Sequence, residues 1–166
     1  MLAHQDVARG AGVINKHKGV GFTALHFATS ATKAVGDRYG QFAGGWWTVG
    51  PDSLATGSVT WKFLTPGHPI LQGLKPFTMT DEIYRHPTIL SQAVPLIQVH
   101  IADRDDVVAW AYEREGGGRS FATTLGHPWN NWSHWMNEPF QHMVLNGIRW
   151  TLQPADTVKE SKEQTN

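Results

Sequence analysis

Residues 17–30 read HKGVGFTALHFATS, and the fold class follows from them. The segment VGFTAL at 20–25 is short, rich in β-forming residues and not alternating, which is typical of a strand buried on both faces of a mainly parallel sheet. The following FATSATKAVGDRYGQF, at 27–42, offers Ser and Thr as helix caps and has a loosely helical pattern. A strand, a turn and a helix in that order predict an α/β fold. A titratable ring, His26, stands at the corner between strand and helix.

Apolar patterns further along the chain predict more strands and one long helix. The strands are predicted at 58–64, 95–101, 106–113 and 119–125. Three glycines at 116–118 join the last two as a hairpin. The helix is predicted over 137–152, where Asn137 can cap and Pro139 sits in the first turn. Its apolar side chains are expected to share one face: Phe140, Met143, Val144, Ile148 and Leu152.

Length and composition predict one globular domain. The chain has 166 residues, of which 40% are hydrophobic, which is enough for a single substantial core. That domain is expected to span residues 1–153. The last residues, 154–166, lack aromatic side chains and are charged and polar, so they are predicted to form a disordered polar tail.

The balance of charge argues against two classes of partner. Lys plus Arg and Asp plus Glu each number 14, which gives no electrostatic footprint for nucleic acid or for an anionic membrane. No apolar run has membrane-spanning length. A small neutral molecule is the expected ligand. The N-terminal sequence shows no basic region followed by an apolar stretch, so no signal peptide is predicted and a cytoplasmic location is expected.

The absence of cysteine removes several chemistries. The chain contains no Cys, which excludes disulfides, thiolate metal sites and cysteine nucleophiles. Glutaminase and cysteine-protease chemistry are therefore excluded on residue type. A serine hydrolase is disfavoured, because there is no GxSxG elbow and Ser30 is the only serine near His26.

An ordered set of motifs between Val13 and Trp150 resembles the ThuA-like, or trehalose-utilisation, family. The motifs are GVGFTALHFAT, the glycine pair at 44–45, HPI, DEIY, VAWAYEREGGGRSFATTLGH and NGIRW. The family is similar in fold to the class I glutamine amidotransferases. The resemblance therefore implies a flavodoxin-like, three-layer αβα architecture with a mostly parallel sheet.

The resemblance also implies a shortened N-terminus. Family members begin with a strand, a helix and another strand before the segment that corresponds to residues 20–25. An open sheet that lacks those first strands would expose unpaired backbone and apolar faces. A second copy of the chain could cover them, so a homo-oligomer is one expectation; a misread gene start or a weakly stable remnant are the others.

Two histidines stand where strands are expected to end. His26 occupies the strand-to-helix corner at which amidotransferase-like folds keep a catalytic cysteine, and His127, in TTLGHP, matches the place of their catalytic histidine. Open α/β sheets bind ligands beyond the carboxyl ends of their strands, so both rings are expected to face one crevice. The alternatives are a corner His26 bonded to a backbone carbonyl and a His127 that is merely exposed on a turn at Gly126.

The DEIY motif, at residues 81–84, offers a carboxylate that could join the two histidines at the crevice. His26, Glu82 and His127 are the predicted catalytic residues, and the same three offer nitrogen and oxygen ligands for a divalent metal such as zinc or manganese. Their spacing forms no compact metal motif. Without a metal, Glu82 could act as acid or base beside a histidine. The alternative is that Asp81 and Glu82 are only a surface acidic pair.

Five residues are predicted to bind substrate: His68, Asp81, Tyr84, Trp129 and Asn130. Aromatic faces beside amide groups suit a sugar, whose apolar face stacks while its hydroxyls form hydrogen bonds. Tryptophans three residues apart in HPWNNWSHW, at 127–135, are equally typical of a helical turn packed on a core.

Two functions remain open at this stage. The first is carbohydrate metabolism, in which the chain acts on trehalose or an oxidised keto-disaccharide as a metal-assisted hydrolase, lyase or isomerase. The second is a non-catalytic amidotransferase-like domain that binds carbohydrate or a protein partner.

Overall fold

A computed structural model describes residues 19–128 and 133–153, with residues 133 and 134 described in their backbone only. The strands are β1 (Phe22–Leu25), β2 (Gly45–Trp46), β3 (Leu54–Thr60), β4 (Lys62–Phe63), β5 (Thr78–Tyr84), β6 (Thr88–Ile89), β7 (Val94–Ile101), β8 (Arg104–Glu113) and β9 (Arg119–Thr123). The helices are α1 (Lys33–Ala43) and α2 (Glu138–Thr151). Short 3-10 turns cover His26–Thr29, Pro69–Leu71 and Ser133–Met136. The mixed α/β class predicted from the sequence is confirmed.

A central five-stranded sheet has the order β1-β9-β8-β7-β4, and the relative directions of its strands differ from the expected mostly parallel arrangement. Only β1 and β9 run parallel, whereas the other three pairs of this sheet are antiparallel. The expected mostly parallel sheet is therefore wrong. Residues 102–103 join β7 to β8, and residues 114–118 join β8 to β9. Loops this short connect only antiparallel neighbours, because a parallel crossover needs about a dozen residues or more.

The flavodoxin-like three-layer arrangement depends on parallel crossovers and stays a prediction. The tail predicted to be disordered, residues 154–166, lies outside the described part of the chain. Among the residues that the structure describes, no helix is both long and apolar enough to cross a membrane.

Strands β3 and β5 form a separate two-stranded antiparallel sheet. Its register pairs Leu54 with Tyr84 at one end and Thr60 with Thr78 at the other. Along β5, Met79, Asp81 and Ile83 are buried in alternation. Since side chains two residues apart point to one side of a strand, this alternation places Asp81 on the inner face of β5.

Helix α2 packs on the central sheet through a stripe that differs from the predicted one. Its buried residues are Phe140, Met143, Val144, Gly147, Trp150 and Thr151. Ile148 is 39% exposed and Leu152 is 76% exposed, so neither lies on the buried face as the predicted stripe required. Gly147 explains the orientation, because a Cβ added there would lie 2.1 Å from Cδ1 of Phe121 on β9. Helix α2 thus contacts Phe121 of the central sheet at Gly147, a residue without a side chain.

We therefore expect Gly147→Ala to destabilise the protein by about 1–3 kcal/mol, since the new methyl group overpacks the contact with Phe121. The overpacking cost lies toward the upper end of that range, because the added Cβ would be only 2.1 Å from Cδ1 of Phe121, and it therefore outweighs the gain of about 1 kcal/mol in helix propensity that alanine brings. Urea unfolding at fixed pH measures the difference. The matched control is Arg149→Ala, an exposed position of the same helix, which should shift the free energy of unfolding by less than about 0.5 kcal/mol. A midpoint for Gly147→Ala equal to that of wild type would contradict the packing argument.

Candidate active site

The parallel pair β1 and β9 brings two histidines to one edge of the sheet. His26 follows β1 directly, and His127 follows β9 after a turn of three residues. Because parallel strands end on the same side, the segments that carry these rings lie next to each other. The two ring nitrogens, Nε2 of His26 and Nδ1 of His127, lie 3.0 Å apart.

The backbone of His26 is strained. Its φ is +49°, in the left-handed region that non-glycine residues rarely adopt. A residue in this region costs of order 1–3 kcal/mol and persists only where its surroundings fix it. The hydroxyl of Thr29 donates to the carbonyl oxygen of His26 at 2.7 Å and closes the turn. Such strain is concentrated at functional sites, and here it aims the imidazole away from the strand.

Hydrogen bonds define the tautomer of His26. Its Nδ1 lies 2.9 Å from the carbonyl oxygen of Thr124. A carbonyl only accepts, so Nδ1 carries the proton and Nε2 of the neutral ring has a free lone pair. That Nε2 also lies 3.0 Å from the hydroxyl oxygen of Tyr84. The bond to a backbone carbonyl, which was the alternative for His26, is present, and the other nitrogen of the same ring faces Tyr84 and His127. A catalytic or ligating role for His26 stays a prediction.

Strand β5 supplies a carboxylate to the same cluster. The Oε1 of Glu82 lies 3.3 Å from Nδ1 of His127 and 3.8 Å from Nε2 of His26. The three side chains are 22%, 29% and 12% exposed, in that order, so the group is half-buried but reachable. For a tetrahedral zinc with bonds of about 2.0–2.1 Å, ligand atoms stand about 3.3–3.4 Å apart. The three observed separations bracket that value.

Burial shifts the protonation of His26. Burial, followed by the charge of His127, lowers the pKa of His26, although the Thr124 carbonyl and the carboxylates of Asp81 and Glu82 oppose the shift. The neutral, lone-pair-bearing form of His26 is therefore favoured at neutral pH. We expect this form to be the one that can ligate a metal or accept a proton.

Tyr84 is held as an undissociated phenol. Burial, followed by the negative charges of Glu82 and Asp81 and a hydrogen bond with Glu82, raises its pKa well above the usual value. Its ring stacks on Trp47 with a centroid separation of 3.9 Å and an interplanar angle of 17°. Glu82 and Tyr84 are two residues apart on β5 and share one face of the strand. A protonated phenol hydroxyl and a carboxylate therefore both border the His26 ring.

Asp81 has no exposed surface. Its Oδ1 accepts the backbone N–H of Glu82 at 2.8 Å and that of His127 at 3.1 Å. Its Oδ2 accepts the backbone N–H of Gly126 at 2.8 Å. The substrate-binding role expected for Asp81 stays a prediction, but the visible partners of its carboxylate are backbone groups.

The turn before His127 requires glycine. Gly126 has a φ of +100°, and a Cβ at this position would lie 2.6 Å from Cζ of Phe140. The indole Nε1 of Trp135 donates to the carbonyl oxygen of Gly126 at 3.1 Å. The ring of Trp135 also packs edge-on against Phe140, with centroids 5.1 Å apart. This tryptophan of the HPWNNWSHW motif is therefore part of the packing, and the predicted ligands Trp129 and Asn130 lie outside the described residues.

The structure places His68 away from this cluster. Its Nδ1 accepts the backbone N–H of Ile70 at 3.2 Å, and its ring lies edge-on to Trp150 at 5.1 Å. Together with Arg119, at the start of β9, these rings border a cavity of about 380 Å³. His127 follows the opposite end of the same strand. Burial and the charge of Arg119 lower the pKa of His68. Of the predicted site residues that are described, His26, Asp81, Glu82, Tyr84 and His127 come together, and His68 does not.

Sequence reasoning missed two contributors. Thr124 acts through its backbone carbonyl, for which no side-chain pattern gives a signal. Trp47 directly follows β2, is 1% exposed and lies against the Tyr84 ring. The two consecutive tryptophans after the glycine pair at 44–45 were the available signal, because such large aromatic side chains are usually buried against a partner.

Several solved structures are similar in fold. A protein described as ThuA-like from Parabacteroides merdae has a TM-score of 0.64 at 16% identity, over 84% of this chain and 63% of that one. A second such protein, from Bacteroides uniformis, has a TM-score of 0.62 at 14% identity, over 85% and 62%. A protein of Salmonella typhimurium described as cytoplasmic has a TM-score of 0.61 at 11% identity, over 85% and 59%.

At these identities the likeness shows the fold alone. The chain spans less than two thirds of the length of each of the three structures. No curated protein matches the chain significantly. Residues 11–151 match the family described as ThuA, trehalose utilisation, and with most of its length inside that match the chain belongs to the ThuA family.

Proposed function

We propose that this chain is a sugar-processing enzyme that acts on trehalose or, more specifically, on an oxidised keto-disaccharide, with a divalent metal held by His26, Glu82 and His127. The observation that carries the proposal is the convergence of two imidazole nitrogens and one carboxylate oxygen within 3.0–3.8 Å of one another. The family's description as trehalose utilisation supports a carbohydrate substrate.

The donor set suits a catalytic rather than a structural metal. Three protein ligands of the His, His and carboxylate type leave a coordination position open, whereas structural zinc sites fill all four. Nitrogen and oxygen ligands are compatible with zinc and with manganese. When bound, the ion would polarise a substrate carbonyl or activate a water. The bond from Nδ1 of His26 to the Thr124 carbonyl orients the ring, and histidines that bind metals commonly make such a bond through their other nitrogen.

The neighbouring side chains favour proton transfer next to a carbonyl. Without a metal, Glu82 is a carboxylate that can accept a proton from the carbon beside the keto group; with Glu82 held as a ligand, the water that the ion would activate is the base instead. In either case Tyr84 is a phenol that can donate to the keto oxygen. Removal of that proton gives an enediol, from which either isomerisation or elimination of the second sugar can follow. A lyase or isomerase thus uses a base and the phenol, whereas a hydrolase needs only an activated water.

The metal proposal predicts that the purified protein binds one zinc ion. His26→Ala, Glu82→Gln and His127→Ala should each weaken zinc binding by at least about 100-fold, because each removes one of three ligands. Isothermal titration with zinc alone, repeated with manganese, measures the affinities. The control is His100→Ala, whose side chain is 65% exposed and paired with Asp105, and which should bind zinc as wild type does. Wild-type affinity in His26→Ala would contradict the assignment.

The chemical proposal predicts that Tyr84→Phe lowers kcat for the keto-disaccharide by about 100-fold while KM changes little. Loss of the hydroxyl removes the proton donor, and the ring still stacks on Trp47. Turnover is followed by chromatography of the sugar products, with His100→Ala as the unaffected control.

The same assay separates the two functions considered at the outset. Sugar binding by wild type with no turnover of either trehalose or its keto form would favour the non-catalytic binding domain. A Tyr84→Phe variant as active as wild type would remove the phenol from the mechanism but leave the metal ligands standing.

The lowered pKa of His26 predicts how stability depends on pH in the metal-free protein. The unfolded chain protonates this histidine near pH 6.5, whereas the folded chain resists protonation until lower pH. The unfolded state then binds more protons, so the free energy of unfolding falls as pH drops below about 6.5 and levels off below the folded pKa. His68 contributes with the same sign.

Urea unfolding between pH 7.5 and 5 checks this expectation. His26→Gln and His68→Gln should each flatten the pH dependence, and the double variant should flatten it further. An unchanged slope in His26→Gln would show that the ring titrates alike in both states.

A further inference from the structure

Asp81 links the two segments that carry Glu82 and His127, two of the three proposed metal ligands. Its carboxylate accepts the N–H groups of Glu82 on β5 and of Gly126 and His127 in the turn after β9. A buried carboxylate is costly unless its oxygens accept hydrogen bonds. Asp81, with no exposed surface, accepts three. The protein therefore keeps a charge in its interior where that charge bridges β5 and the turn.

This link matters because, among the described strands, no pairing of β5 with β9 fixes the distance between Glu82 and His127. Strand β5 pairs with β3 in a separate two-stranded sheet, and β9 belongs to the central sheet. The side-chain atoms of Glu82 and His127 nonetheless lie 3.3 Å apart. Within the described residues, the Asp81 carboxylate is a direct hydrogen-bonded link between the backbones that carry them.

We propose that Asp81 is a positioning residue that sets the separation of Glu82 and His127, and that it does not itself touch the substrate or the metal. This inference rests on the proposed function for its metal readout. The carboxylate acts through the ligands by holding the backbone N–H of each to a single oxygen, Oδ1, while Oδ2 holds Gly126 in its left-handed turn.

The substitution Asp81→Asn tests the bridge with little change in volume. An amide keeps one acceptor oxygen but replaces the other with an NH₂ group. That group would face a backbone N–H, so a donor meets a donor and one bond is lost. The turn would then relax away from β5, and the ligand atoms would separate.

Asp106 offers a matched control. It is 2% exposed and accepts the backbone N–H of His86 at 2.9 Å. Its two oxygens also accept from Nε of Arg104 at 3.0 and 3.1 Å. Asp106→Asn therefore perturbs a buried carboxylate of the same kind among residues that are not part of the proposed site.

The experiment compares wild type, Asp81→Asn and Asp106→Asn by titration with zinc alone and by amide hydrogen exchange of the metal-free proteins. Asp81→Asn should lose about 10–100-fold in zinc affinity, as other outer-shell substitutions do, and Asp106→Asn should lose none. The amides of Gly126 and His127 should exchange at least about tenfold faster in Asp81→Asn only. Thermal unfolding of both variants reports global stability.

Zinc affinity equal to wild type in Asp81→Asn would overturn the proposal, and so would an equal loss in both variants, which would indicate general destabilisation. If wild type binds no zinc, the proposed metal function fails by itself, and unchanged exchange at Gly126 and His127 would then overturn the positioning role. Should Asp81→Asn not fold, Asp81→Glu retains the charge but moves the oxygens by one methylene. Its zinc affinity should fall by about tenfold, and a wild-type value would overturn the proposal.

Discussion

The parallel pairing of β1 with β9 is the constraint on which the candidate site depends. Its register aligns Leu25 with Thr123, so the next residue of each strand, His26 and Thr124, lie side by side. That alignment allows Nδ1 of His26 to donate to the Thr124 carbonyl, and this bond leaves Nε2 as the unprotonated nitrogen that faces Tyr84 and His127. A slip of one residue would turn the side chains of β1 to the opposite face. The tautomer of one ring is thus decided by strand register.

Local patterns predicted the elements better than their arrangement. Strands β1, β7, β8 and β9 and helix α2 lie close to their predicted bounds, because each is a run of apolar residues with its own turn signals. The mostly parallel sheet, inferred both from the non-alternating residues 20–25 and from the resemblance, was wrong, although the hairpin predicted at 116–118 already required an antiparallel pair. The buried face of α2 was misjudged because Gly147, without a side chain, gives no apolar signal but allows the closest approach.

The candidate site was predictable to the extent that strand ends carry it. His26 and His127 follow from where β1 and β9 stop, and Glu82 from its motif. The position of His68 was not predictable, because a motif shared with a family does not indicate which other residues lie near it in the folded chain. Strand β5 was not predicted, because Asp81 places a charged residue between the apolar Met79 and Ile83 on the same face of the strand. The hydrogen bonds that its carboxylate accepts from backbone N–H groups explain why a charged residue is tolerated there.

Two features of the candidate site lower the stability of the folded state, and the rest of the fold must offset them. His26 occupies a left-handed backbone conformation, and Asp81 is a carboxylate with no exposed surface. Each costs of order kilocalories per mole, against a net stability of only about 5–15 kcal/mol for a domain. Since neither feature adds apolar burial, hydrophobic packing such as that of α2 on β9 must supply the difference. Left-handed residues and buried carboxylates also occur elsewhere in this fold, at Ala102 and Asp106 for example, but at His26 and Asp81 they border the same cluster of polar side chains, which supports the chemistry proposed for that cluster.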